Sequence, residues 1–168
     1  MHLGGVRTPI MFSWPNGGLD SAKRPELVSS IDLFPTVLAA AGARIPSDVP
    51  GMNLLEKLQK KRPIKRSGIF GESLAHDIAD IKKPEASLLF RWRIEGKWKL
   101  LLTYDGEVNR YQSTHPRTEK RPQLFDLSKD PHEKTNLAKK HPDIVADLAA
   151  KIAAWWPVKA RKVITKYE

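Results

Sequence analysis

The sequence predicts a mixed α/β (α+β) chain in two parts, a strand-and-helix region over residues 1–73 and, over residues 85–168, a small antiparallel sheet covered by a C-terminal helix. Three observations carry that prediction. Leu88, Phe90, Trp92 and Ile94 alternate with Leu89, Arg91, Arg93 and Glu95, giving a strand with one apolar face; after a turn at Glu95-Gly96 the alternation resumes at Trp98, Leu100, Leu102 and Tyr104. That is the pattern of a β-hairpin. Residues 123–127, centred on β-favouring Phe125, form a third short strand. From Pro142 onward, Ile144, Leu148, Ile152 and Trp155 or Trp156 recur at helical spacing, so a helix over 142–156 has an apolar face that must lie on something, most simply that sheet.

The remaining elements follow in chain order. Residues 8–14 (TPIMFSW) are a short apolar run that suits a strand buried on both faces. Asn16-Gly17-Gly18 is a turn. Ser29-Ser30 caps a helix with Asp32 in its first turn, its apolar face made of Ile31, Phe34, Val37, Leu38 and Ala41 and its stop at Gly42; Pro35 is tolerated because it lies near the first turn. Residues 43–66, rich in proline and basic side chains, read as a long loop with one short helix near Leu54-Leu55 and Leu58. Residues 67–73 are a strand and 75–85 a polar connection. Asp105-Gly106 turns the chain, and 109–121 is a polar, basic excursion. Asp130-Pro131-His132-Glu133 has an N-cap acceptor, proline at N1 and glutamate at N3, and so predicts a short helix ending near Leu137-Ala138.

Composition narrows the function classes. A chain of 168 residues with 40% hydrophobic residues can bury a proper core. No apolar run approaches the ~20 residues that span a bilayer, and Met1 is followed by no basic and apolar leader pattern. With no cysteine there is neither a disulfide nor a thiolate metal site. The excess of 29 Lys and Arg over 19 Asp and Glu gives a formal charge of +10, which suits a polyanion. The cations are scattered in short groups, such as Lys60-Lys61-Arg62 and Lys139-Lys140, so a solvated basic surface is the first reading and nucleic-acid binding the minor one.

Residues 124–138, LFDLSKDPHEKTNLA, resemble the C-terminal signature of the sulfatases, sulfate-ester hydrolases of the alkaline phosphatase superfamily. Gly4-Gly5-Val6-Arg7-Thr8-Pro9 is similar to that family's glycine-glycine-x-arginine-x-proline segment, and Ser30 to Leu38 (SIDLFPTVL) to its helix. With Trp98-Lys99-Leu100 between the second and third, these motifs stand in the family's order along nearly the whole chain. The resemblance implies a C-terminal region of an arylsulfatase-like sulfuric ester hydrolase: residues 1–73 the end of the large α/β domain and residues 85–168 the small C-terminal domain. It further implies calcium in the full-length enzyme, a sulfate-ester substrate for the full-length protein only, a missing N-terminal sulfatase region as partner, and a family whose members are often exported.

The catalytic part of the family pattern is not in this sequence. The formylglycine motif, a cysteine or serine followed by x, proline or alanine, x and arginine, has only a near miss at Ser113-Thr114-His115-Pro116-Arg117, where the proline stands one place too late. The family's paired aspartates and catalytic lysine belong upstream, and Leu3 stands where the family prefers glutamate. The expectation is therefore no catalytic and no metal residue in this chain, which would begin after the machinery through truncation or a split gene. Substrate contact is assigned to His76 and Asp77, beside Asp80, in a polar loop. Arg7 is read as a strand anchor, and Asp126, Asp130, Glu133 and Asn136 as turn and cap residues. Trp92, Trp98, Trp155 and Trp156 lie on periodic apolar faces and are read as core. The alternative is a non-catalytic accessory module that binds a sulfated polymer or another polyanion.

Overall fold

Among the described residues, the paired strands lie between residues 69 and 126. The structure is a computed structural model that describes residues 3–76, 79–104 and 119–167. Strands β1 (Ile69–Leu74), β2 (Leu88–Glu95), β3 (Trp98–Thr103) and β4 (Gln123–Asp126) form one sheet in the order β1-β2-β3-β4. β2 and β3 are the expected antiparallel hairpin, and β3 and β4 are likewise antiparallel. The turn sits one residue later than the sequence pattern places it. Glu95 pairs with Trp98, leaving Gly96-Lys97 as the two turn residues, and Gly96 takes the positive φ of 54° that such a turn requires.

That register decides what each face carries. Arg91 stands opposite Leu102 and Arg93 opposite Leu100, so the charged positions of β2 share a face with the apolar positions of β3. Helix α3 (Pro142–Trp155) covers this face, and Leu100, Leu102, Tyr104 and Leu124 pack with its Val145, Leu148, Ala149 and Ile152. On the other face Trp92, Ile94, Lys99, Leu101, Thr103 and Phe125 are buried as well. The sheet is therefore closed on both sides, and the single apolar face expected for β2 is corrected: both sets of its side chains are inside. Gly71 of β1 lies under the Trp92 indole, where an added Cβ would come within 2.1 Å of the ring.

The chain forms two compact units, residues 8–69, and residues 1–7 with 70–168. β1, which the sequence pattern attaches to the first region, thus runs with the sheet of the second from Phe70 onward. Within residues 8–69, α1 (Leu33–Ala40) and α2 (Leu55–Gln59) are the α-helices, and Gly42 at φ 67° ends α1 as expected. Asp32 is fully buried and holds this unit together. Its carboxylate accepts from the backbone N–H of Ser29 and of Met52, both at 2.8 Å, and from Arg66 Nη2 at 2.5 Å. Thr36 Oγ1 donates to the Asp32 carbonyl at 2.6 Å and accepts from Leu54 N–H at 3.0 Å.

Two expectations for this unit fail. The buried positions of α1 are Pro35 and Thr36, whereas Ile31, Phe34 and Val37 are exposed. The amides at Met52 and Leu54 need acceptors, and Asp32 and Thr36 supply them, which turns the polar side of the helix inward. Residues 8–14 form no strand, because a strand exists only by pairing and none of the described residues gives this segment a ladder.

Candidate functional site

The signature run folds as a loop clamped to the end of β4, and its local chemistry explains why. Asp126 Oδ1 accepts from Ser128 N–H at 3.1 Å and from Ser128 Oγ at 2.5 Å, while Oδ2 pairs with Lys97 Nζ of the hairpin turn at 3.0 Å. The Ser128 hydrogen bond and the Lys97 charge hold its carboxyl at about 2. Asp130 accepts from the Thr135 amide at 2.8 Å, and backbone amides, Thr135 first, lower its pKa. Asn136 bridges the two ends: its Oδ1 accepts from Leu124 N–H at 3.0 Å and Ala138 N–H at 2.9 Å, and its Nδ2 donates to the Pro122 carbonyl at 3.1 Å.

Glu133 plays a different part from the helix-start role expected of it. Its backbone is left-handed at φ 53°, no helix forms over 130–138, and its carboxylate is buried 2.7 Å from Lys99 Nζ, which β3 projects into the same interior. A buried ammonium requires a counter-charge, and that demand outweighs the few tenths to ~1 kcal/mol of an N3 contact. Burial lowers the pKa of Lys99, and the hydrogen bond and charge of Glu133 oppose the shift.

A depressed carboxyl gives a signed pH dependence. With an unfolded value near 3.9, the contribution of Asp126 is complete above about pH 4 and is lost as pH falls toward 2. The stability difference between the wild-type chain and Asp126→Asn should therefore be constant from pH 5 to 7 and close between about pH 4 and 2. Urea titrations across that range check it, and a difference that persists unchanged at pH 2 overturns it.

The structure gathers Asp126, Asp130, Glu133 and Asn136 in one loop and leaves the other named residues outside it. Arg7 is exposed in irregular chain just after a short 3₁₀ turn at Leu3–Gly5 and belongs to no strand. His76 is exposed at a bend after β1, and Asp77 lies outside the described residues, as do the turn at Asp105-Gly106 and the near-miss motif at 113–117.

Sequence reasoning missed a set of buried cations. Arg91 donates from Nε to the Tyr104 hydroxyl at 2.6 Å and from Nη1 to the Ile152 carbonyl at 3.2 Å and the Trp156 carbonyl, so a sheet residue caps the C-terminus of α3. Burial raises the Tyr104 hydroxyl, against the charge of Arg91. Arg93 pairs with Glu95 at 2.6 Å and lies 4.3 Å over the Phe70 ring, which stacks on Trp155 at 4.9 Å. Glu95 also accepts from Lys151 at 2.8 Å, and Lys151 first, then Arg93, lowers its pKa. Arg161 donates to the carbonyls of Glu85, Ala86 and Leu88 at 2.7–3.2 Å. The one available signal was the hairpin register, which puts Arg91 and Arg93 under the helix.

Among the described residues no three His, Cys, Asp or Glu are grouped so that they could hold a metal ion. No helix among them is long and apolar enough to cross a membrane.

Comparison with known proteins places this architecture. Residues 1–156 match the family described as N-sulphoglucosamine sulphohydrolase, C-terminal. The chain is 30% identical over 148 residues to an N-acetylgalactosamine-6-O-sulfatase of Bacteroides thetaiotaomicron, covering 86% of this chain and 26% of that protein. To arylsulfatase A of Bos taurus it is 34% identical over 143 residues, covering 80% and 26% respectively. Among solved structures, a Bacteroides thetaiotaomicron chain from work on the metabolism of multiple glycosaminoglycans superposes with a TM-score of 0.54 at 27% identity, over 76% of this chain and 24% of its own. The Bacteroides fragilis protein yidJ gives 0.61 at 20% identity, a likeness of fold, over 85% and 28%. The chain thus spans about a quarter of the length of these relatives. A match over residues 1–156 of the 168 means that the chain belongs to the sulfatase family, as a C-terminal region of it.

Proposed function

We propose that this chain is the C-terminal portion of an arylsulfatase-like sulfuric ester hydrolase whose nucleophile and metal ligands lie in other polypeptide. The observation that carries this is the family match over residues 1–156 by a chain that covers about a quarter of each sulfatase relative. On this reading residues 8–69 are the end of the large α/β domain, and the four-stranded sheet with α3 is the small C-terminal domain.

Calcium, implied by the family, does not fit the clamped carboxylates among the described residues, where no three His, Cys, Asp or Glu are grouped to hold a metal ion. Hard cations take several free oxygen ligands. Asp32 is committed to two amides and Arg66, Asp126 to Ser128 and Lys97, Asp130 to backbone amides, Glu133 to Lys99 and Glu95 to Arg93 and Lys151. These groups build the fold, so no reaction step is assigned to them. The reading as a polyanion-binding module rests on net charge, and part of that charge is turned inward, in Arg66, Arg91, Arg93, Lys99 and Arg161.

The purified chain, supplied with calcium and a nitrophenyl sulfate, is expected to release no nitrophenolate above a buffer blank. Release above the blank, abolished by a substitution in this chain, would overturn the reading.

A further inference from the structure

Residues 157–167 lie beyond the family match, which ends at 156, yet they are fastened to the sheet unit along their length. Arg161 donates from Nη1 to the carbonyls of Glu85 and Ala86 at 2.9 and 2.7 Å, and from Nη2 to that of Leu88 at 3.2 Å. Val163 bridges to Tyr104, and the Arg121 guanidinium stands 5.0 Å over the Tyr167 ring. Val158, Val163 and Tyr167 are partly buried at the margin of the core, whereas Lys162, Ile164 and Lys166 between them face water.

The segment that Arg161 holds brings little apolar anchorage of its own. Ile81 is 83% exposed, and Lys82, Lys83 and Pro84 are open as well. Its bonds are polar: Ala79 N–H donates to Ser87 Oγ at 2.9 Å, Lys82 N–H to Asp80 Oδ1 at 2.9 Å and Ala86 N–H to the Lys83 carbonyl at 2.9 Å. The carbonyls at the end of the 3₁₀ turn Pro84–Ser87 need donors from outside it, and one planar guanidinium serves several at once. The core closes elsewhere, with Leu100, Leu102 and Leu124 against Val145, Leu148 and Ile152, and Arg91 fastens the end of α3.

We propose that residues 157–167 are a strap whose Arg161 latches residues 79–88 to the edge of the sheet unit, so that strap and segment open together while the sheet and α3 stay joined. This is a property of the folded chain and stands apart from the functional reading above.

Trypsin tests it on the full chain, because Lys82 lies in the segment and cleavage there requires the segment to open. Arg161→Ala should speed cleavage after Lys82 at least about tenfold, measured against cuts among residues 43–66 of the other unit, and leave Lys99 of the sheet and Lys151 of α3 uncut. Amides of Ala79 and Ala86 should lose protection by a similar factor. Val163→Asp, which loosens the strap away from the segment, should speed the same cleavage after Lys82. An unchanged rate in Arg161→Ala overturns the proposal, because the segment then holds itself. So does a Val163→Asp chain cleaved like the unaltered one, because strap and segment then open separately. New cuts at Lys99 or Lys151, or an Arg161→Ala chain that does not fold, would make the tail a support of the whole unit and not a strap.

Discussion

Glu133→Ala is expected to destabilise the sheet unit by about 3–5 kcal/mol, the usual effect of removing one partner from a buried ion pair. Lys99 and Glu133 are both fully buried and 2.7 Å apart, so the truncation removes a carboxylate counter-charge from a buried ammonium. The pH dependence of the variant has a definite sign. Burial already lowers Lys99, and without Glu133 nothing from that partner opposes it, so the folded pKa falls further below the unfolded value near 10.4. The unfolded state then binds more protons, stability of the variant rises with pH, and its deficit closes as pH approaches about 10. Lys99→Met combined with Glu133→Leu should recover most of the loss, because an apolar pair has no charge to desolvate. Denaturant titrations of the single and double variants at pH 6 and pH 9 measure both effects. A deficit below about 1 kcal/mol, or one that widens with pH, would show that the pair is not the support inferred for the loop.

Arg91→Ala is the second large effect. The guanidinium donates to the Tyr104 hydroxyl and to the carbonyls of Ile152 and Trp156, and its loss removes those hydrogen bonds from the end of α3 and leaves a cavity. Each unsatisfied group costs about 1–3 kcal/mol, so a total of about 3 kcal/mol or more is expected. Arg91→Lys should recover less than half of that, because one ammonium on a flexible stem does not reproduce a planar fork with three acceptors at fixed positions. Equilibrium unfolding followed by tryptophan fluorescence reads both variants, and near-full recovery by lysine would mean that charge and not fork geometry matters at this position.

The fold was legible where pattern and pairing coincide. The alternation on either side of Gly96 gave the hairpin, Phe125 its third strand, and Pro142 with Leu148 and Ile152 the covering helix, observed over Pro142–Trp155. Arg91 and Arg93 stand opposite the one apolar face that the alternation of β2 predicts, and alternation within one strand says nothing of the face its partner presents. A two-residue turn fixes Glu95 opposite Trp98, and the arginines then fall on the helix side. Local helix-start chemistry at Asp130 to Glu133 was overridden by a partner 34 residues away, Lys99, which no local signal reports. On α1 the apolar spacing was genuine, yet the inward side is set by the amides of Met52 and Leu54. The site residues were legible only as a motif: the sequence names Asp126, Asp130 and Asn136, but their acceptor roles toward Ser128, Thr135 and Leu124 depend on the loop being closed.

The tail after α3 sets the order in which the unit can close during synthesis. Arg161 holds the carbonyls that lead into β2, and Val163 bridges to Tyr104 at the end of β3. The hairpin leaves the ribosome complete at residue 103, while both the helix that covers one face and the tail that fastens its edge come later. At about 5–20 residues per second, several seconds pass with Leu100 and Leu102 open to water. Over that interval the nascent hairpin is a client for whatever binds apolar strands, and closure waits for Arg161 and Val163, some sixty residues after β3.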